Sequence, residues 1–174
     1  IRFATKLGFK IEENTGKLLK EAIESKQFDN LIKKIRGDRV KIEIRYLFNL
    51  PNIEEAIKVF FESSVYRMVD KSLQTECTTI LPTIKNASEL IKLHENKINS
   101  EHKWLVYFGL VLFKLSESDR EYLMSNLKLT LEETYLIKDG YKHYTDLTTP
   151  HEADRDNFNS LFVYRLFKKI RFES

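Results

Sequence analysis

Apolar residues recur at helical spacing along almost the whole chain. Leu18, Leu19, Ala22 and Ile23 fall on one face of a helix that Thr15 can N-cap and that runs to about Glu24. Phe28, Leu31, Ile32 and Ile35 mark a short helix over about Gln27 to Ile35. Gly37 interrupts, and Asp38 opens a helix carrying Val40, Ile42, Ile44, Leu47 and Phe48. The alternation Val40-Lys41-Ile42-Glu43-Ile44 would also suit a strand. Helix is preferred because the apolar set continues at helical spacing and Pro51 follows the stop. Ile53 to Glu62 repeats the pattern with Ala56, Ile57, Phe60 and Phe61 inward, and Tyr66 to Leu73 repeats it more weakly.

The chain opens on Arg2 to Leu7, which reads as the last two turns of a helix. Gly8 follows at a left-handed C-terminal position, and Phe9 and Ile11 form a short extended stretch. Residues 74–85, with Thr75, Thr78, Thr79, Pro82 and Thr83, read as a loop and divide the chain into lobes 1–74 and 75–174. In the second lobe Ser88 to Asn96 is short and amphipathic. Glu101 to Lys114 is apolar all round, as a central buried helix is, and Gly109 marks close packing. Ser118-Asp119-Arg120-Glu121 and Thr130-Leu131-Glu132-Glu133 are capping-box patterns for helices to about Leu127 and Tyr144. Thr148-Thr149-Pro150 breaks the chain before a last helix, about His151 to Arg171. The pattern predicts an all-α, two-lobed helical array.

Composition narrows the class. The 174 residues are 42% apolar, enough for a core, which excludes a disordered chain. Five Gly and three Pro are too few for the turns of a sandwich, barrel or propeller. The longest apolar run, Trp104 to Phe113, is about half the ~20 residues a membrane span needs. A lone Cys77 excludes an internal disulfide framework. The chain starts at Ile1 without a signal-peptide pattern; it reads as a piece of a longer protein, with a cytoplasmic location expected.

The net charge of +3 is unevenly spread. Residues 1–48 carry +5, residues 49–159 carry −5 and residues 160–174 carry +3. Two basic ends around an acidic middle could mark a polyanion track, but from charge alone ordinary solvated helix faces are the preferred reading, because a nucleic-acid footprint is clustered charge with a more basic isoelectric point. Catalytic patterns are missing. Asp154-Arg155-Asp156 places its carboxylates roughly 200° apart on a helix, too far around to grip one ion together. His151 and Asp154 share a face, but two ligands alone do not specify a metal. No glycine-rich phosphate cradle occurs, and Cys77 has no neighbouring His to activate it.

The first eleven residues, Ile1-Arg2-Phe3-Ala4-Thr5-Lys6-Leu7-Gly8-Phe9-Lys10-Ile11, are more specific. With Thr15 they resemble the junction of catalytic head and helical neck in class II tRNA nucleotidyltransferases and bacterial poly(A) polymerases. Asp38-Arg39-Val40-Lys41-Ile42-Glu43 resembles the neck motif E-R-x-x-x-E of that family, with Asp38 in place of the first Glu. The two matches cover about 70 residues; 75–174 carry no family residue.

The resemblance implies an RNA-binding neck-and-body fragment of an enzyme that adds CCA to tRNA 3′ ends. A poly(A) polymerase with the same neck is the close alternative. The parent would use ATP, CTP and Mg²⁺ in an N-terminal head whose carboxylates precede this stretch, so no catalytic residue and no cofactor is expected here. Arg39 and Glu43, spaced i, i+4 for an ion pair, would brace the nucleotide pocket, together with Arg2. The partner implied is the acceptor arm of tRNA. Its phosphates would meet Lys33, Lys34, Arg36 and Lys41 in the neck, and Arg165, Lys168, Lys169 and Arg171 at the end of the chain. A reading of another class is a helical protein-interaction module whose basic last helix docks an acidic partner.

Overall fold

The structure, a computed structural model, describes residues 2–25, 28, 30, 34, 35, 37–74, 77–93, 101–113 and 115–145. Among these residues the fold is all-α, with no strand. The helices are α1 (Arg2–Leu7), α2 (Glu13–Glu24), α3 (Gly37–Phe48), α4 (Ile53–Glu62), α5 (Cys77–Leu93), α6 (Lys103–Leu112), α7 (Glu117–Asn126) and α8 (Leu131–Thr145). Two 3₁₀ turns, Val65–Met68 and Lys71–Leu73, replace the helix expected over Tyr66 to Leu73. Ser64 at φ +60° breaks the α geometry there, and Asp70 starts the second turn by accepting the Ser72 N–H at 2.8 Å.

Local capping chemistry decides where the helices begin and end. At the end of α1 the Phe9 N–H donates to the Ala4 carbonyl at 2.9 Å and the Gly8 N–H to the Thr5 carbonyl at 3.4 Å. Gly8 sits at φ +69°, so the expected glycine cap is present as a Schellman motif. At α2 the cap is Glu12 instead of Thr15. Its carboxylate accepts the N–H groups of Asn14 at 2.9 Å and Thr15 at 2.8 Å. The Thr15 hydroxyl also donates to it, at 3.0 Å. These N–H groups, Asn14 first, hold the exposed Glu12 carboxyl below the usual carboxylate range. Ser116, two residues earlier than expected, caps α7 by accepting the Asp119 N–H at 3.2 Å. The capping box at α8 is as the sequence reads: Glu133 N–H to the Thr130 hydroxyl at 3.1 Å, Thr130 N–H to the Glu133 carboxylate at 2.7 Å.

Of the loop expected over 74–85, residues 77–85 are helix, the start of α5. Ile80, Ile84, Ala87 and Ile91 recur at helical spacing on α5 and are all buried. An interior proline costs ~3 kcal/mol through the lost N–H and a ring clash. At Pro82 the burial of that stripe outweighs it, each large aliphatic side chain contributing ~1.5–3 kcal/mol. α5 packs on α4 and on α6, so a single apolar cluster, Ile44 to Tyr141, crosses the position assigned to a lobe boundary. At its centre lies α6, every residue from Trp104 to Leu112 buried. α3, α5 and α8 surround it.

Gly37, the first residue of α3, lies against the end of α7. A Cβ there would come 1.8 Å from the Asn126 carbonyl oxygen and 3.1 Å from the Leu127 Cα. Those atoms belong to backbone and cannot swing aside. Gly37→Ala is expected to lower stability by about 1–3 kcal/mol, the cost of overpacking. A thermal melt checks it: a midpoint within about 1 °C of wild type would mean that α3 and α7 do not meet at Gly37.

Candidate functional site

The two segments that resemble the nucleotidyltransferase neck come together at the junction of α1 and α3. Arg2 Nε lies 3.2 Å from the Glu43 carboxylate. The Arg2 guanidinium also sits over two aromatic rings, 4.9 Å from the Phe3 centroid and 4.7 Å from that of Tyr46. It is thus held by one carboxylate and two ring faces, each cation–π contact contributing about 0.5–1 kcal/mol at an exposed site.

The expected Arg39–Glu43 pair does not form; Glu43 pairs with Arg2 instead. An intrahelical pair with the cation on the N-terminal side opposes the helix dipole, so it is the weaker of the two orientations. Arg39 remains exposed. An open apolar groove of about 400 Å³ lies beneath the junction. It is lined by Leu19, Ile23, Val40, Ile44, Leu47 and Phe60 and bordered by Arg2, Arg39 and Glu43. The three residues expected to act together thus do share one groove, in a different pairing. They do not fit a divalent cation, since two guanidinium groups face one carboxylate. Among the described residues no three His, Cys, Asp or Glu side chains gather to hold a metal.

The expected RNA contacts divide. Lys34 is exposed, in a turn. Lys41 is not available: its Nζ donates to the Glu133 carboxylate at 3.0 Å and to the Lys128 carbonyl at 3.1 Å. Both side chains of that ion pair are largely buried. Lys41 therefore ties α3 to the start of α8 and is a structural cation. Lys33, Arg36, Arg165, Lys168, Lys169 and Arg171 lie outside the described residues, as do His151, Asp154, Asp156 and the last helix expected at 151–171.

Sequence reasoning also missed a second polar cluster, around Tyr141. The Tyr141 hydroxyl donates to the Gly109 carbonyl. The Arg120 guanidinium lies 4.2 Å over its ring while donating to the Leu115 carbonyl at 2.8 Å. Gly109 was legible as a packing position, but a partner 32 residues away was not. Burial raises the Tyr141 hydroxyl far above its ordinary range, Arg120 only partly opposing the shift. Burial likewise raises Tyr107, opposed by a hydrogen bond from Ser88. For a phenol a raised pKa means that the folded state keeps its proton while the unfolded chain loses it. Stability from these groups is complete below about pH 10 and falls as pH rises above it. Urea unfolding at rising pH should show this loss, and Tyr141→Phe should flatten it by up to ~1.4 kcal/mol per pH unit. An unchanged slope in that variant would contradict the burial of the hydroxyl.

No helix among the described residues is long and apolar enough to cross a membrane. Comparison with protein-family models, curated proteins and solved structures finds no match for the chain.

Proposed function

We propose that this chain is the RNA-grasping helical part of an RNA nucleotidyltransferase that extends the 3′ end of tRNA. One observation carries the reading: Arg2 of the Ile1-to-Ile11 segment and Glu43 of the Asp38-to-Glu43 segment meet at 3.2 Å. The two stretches that resemble the family's head–neck junction and neck are thus contact partners, as a bracing role requires. In this reading the nucleotide chemistry with ATP, CTP and Mg²⁺ belongs to a catalytic head outside this sequence. No step of it passes through the residues of the groove.

What the helices contribute is recognition of a duplex arm by shape and phosphate contact. Exposed Lys34 and Arg39 are neck cations open to such contacts; Lys41 is withdrawn by its partner Glu133.

The test is titration of a labelled tRNA acceptor-arm hairpin beside an unrelated hairpin, with CTP and ATP present. The dissociation constant should rise at least about tenfold between about 50 and 200 mM salt, since a few released counterions suffice. The tRNA-like arm should be preferred and its 3′ end should stay unextended. Absence of binding at the lower salt, or equal binding of both hairpins, would overturn the reading. Extension of the 3′ end would place an active site within this chain.

A further inference from the structure

Beside the groove the α1–α3 junction presents a surface that bracing does not use. Phe3 is 67% exposed and Tyr46 is 54% exposed, large values for aromatic side chains in a chain with a full core. Their rings flank one guanidinium, that of Arg2, at 4.9 and 4.7 Å. With more than half of each residue's surface in solvent, both residues remain accessible beside Arg2. On the two helices that carry them, α1 and α3, cations outnumber carboxylates, with Arg2, Lys6, Arg39, Lys41 and Arg45 against Asp38 and Glu43. Lys6, one turn from Arg2 on α1, is exposed, as are Lys10 and, on α3, Arg39 and Arg45. Glu43, the carboxylate at the centre, is matched by Arg2.

Exposed rings bridged by one guanidinium, on helices with a surplus of cations, suit a ligand that is flat, aromatic and anionic at once. A duplex does not offer that combination, because its bases are stacked on one another and only its phosphates are free. An unpaired strand offers both parts, and every base has a π face, so stacking tolerates any sequence. An apolar protein surface would match the rings but not the surrounding cations. We infer that Phe3 and Tyr46, bridged by Arg2, form a stacking platform for unpaired nucleotides of a single-stranded RNA segment. The exposed Lys6, Arg39 and Arg45 would track its phosphates. The choice of RNA as the polyanion rests on the function proposed above; the stacking itself rests on the ring exposure and geometry.

The experiment is fluorescence anisotropy with three labelled probes. They are a single-stranded RNA of about six nucleotides, an abasic strand of equal length and charge, and a blunt acceptor-stem hairpin. The base-bearing strand should bind at least about fivefold tighter than the abasic strand. Phe3→Leu and Tyr46→Leu keep the apolar bulk without the π face and should each erode that margin. Phe3→Tyr and Tyr46→Phe should retain it, and none of the four should change binding of the blunt stem. Both side chains are exposed, so the melting midpoint should stay close to wild type and a folding defect is separable.

Equal affinity for base-bearing and abasic strands overturns the platform. So do Leu variants that bind like wild type, which would leave this face as a protein-docking surface. Loss of stem binding with the stacking margin intact would refute the acceptor-arm reading while leaving the platform standing. Stem binding without the margin would do the reverse.

Discussion

Replacing Glu133 with alanine is expected to destabilise the protein by about 3 kcal/mol, the lower end for a buried pair that loses one partner. One Glu133 carboxylate oxygen serves two purposes. It accepts the Thr130 N–H at 2.7 Å, closing the capping box of α8, and it accepts Lys41 Nζ at 3.0 Å. Alanine leaves an ammonium group largely shielded from water with only the Lys128 carbonyl at 3.1 Å. Glu133→Gln keeps an oxygen for the cap and removes the charge, so its loss should be smaller. A cycle with Lys41→Met isolates the ion pair, and a coupling of at least about 1 kcal/mol is expected for side chains in direct contact. The measurement is urea unfolding of the four proteins. Additive single effects would show that Lys41 and Glu133 do not interact. The cycle bears on function as well. Because Lys41 is already neutralised by Glu133, Lys41→Met should leave the salt slope of RNA binding unchanged, whereas a phosphate-contacting lysine would lower it by about 1.

Phe48→Ala should have an effect as large or larger, about 3–5 kcal/mol. Phe48 is fully buried, at 0% exposure. Its ring meets Phe60 edge-on at 5.5 Å between centroids and Phe108 at 6.4 Å. The three rings join α3, α4 and α6, so removing one leaves a cavity bounded by three helices instead of a surface dimple. Such a loss is a large fraction of the 5–15 kcal/mol typical of a folded domain. The denaturation midpoint should fall while the slope with denaturant stays constant. Phe48→Leu, which keeps most of the volume, should lose far less. A loss below about 1 kcal/mol for the alanine variant would mean that α3 does not seat on α4 and α6 through this ring.

The inward faces of α3, α4 and α6 were legible because spacing alone identifies them. Ala56, Ile57, Phe60 and Phe61 are buried as read, and so is every residue from Trp104 to Leu112. The Thr130–Glu133 box was legible because its signal is local. Local reading failed where a nearer or stronger partner existed. Glu12 displaces Thr15 as the cap of α2, having two acceptor oxygens for the first free N–H groups where a hydroxyl has one. Over 74–85 the composition of Thr and Pro82 suggested a loop, while the stripe Ile80, Ile84, Ala87, Ile91 carried the opposite signal. Burial against α4 and α6 decided for the stripe.

At the α1–α3 junction the spacing of residues did not give the pairing. Arg2, Arg39 and Glu43 do border one groove, yet Glu43 forms its ion pair with Arg2 and not with its helical neighbour. Phe3 and Tyr46 were not singled out, because exposure of an aromatic ring cannot be read from the chain.

By itself, then, the sequence determined the helical class, the buried faces of the central helices, the Gly8 cap of α1 and the Thr130–Glu133 capping box of α8. It did so because helical period and capping are short-range properties, written within one or two turns. Only the tertiary structure decided that Lys41 belongs to Glu133, that Tyr141 reaches the Gly109 carbonyl, and that Gly37 must make room for Asn126. Those choices depend on distances between segments far apart in the chain. There the energy of an ion pair or a buried hydroxyl follows from packing and desolvation, not from neighbours in sequence.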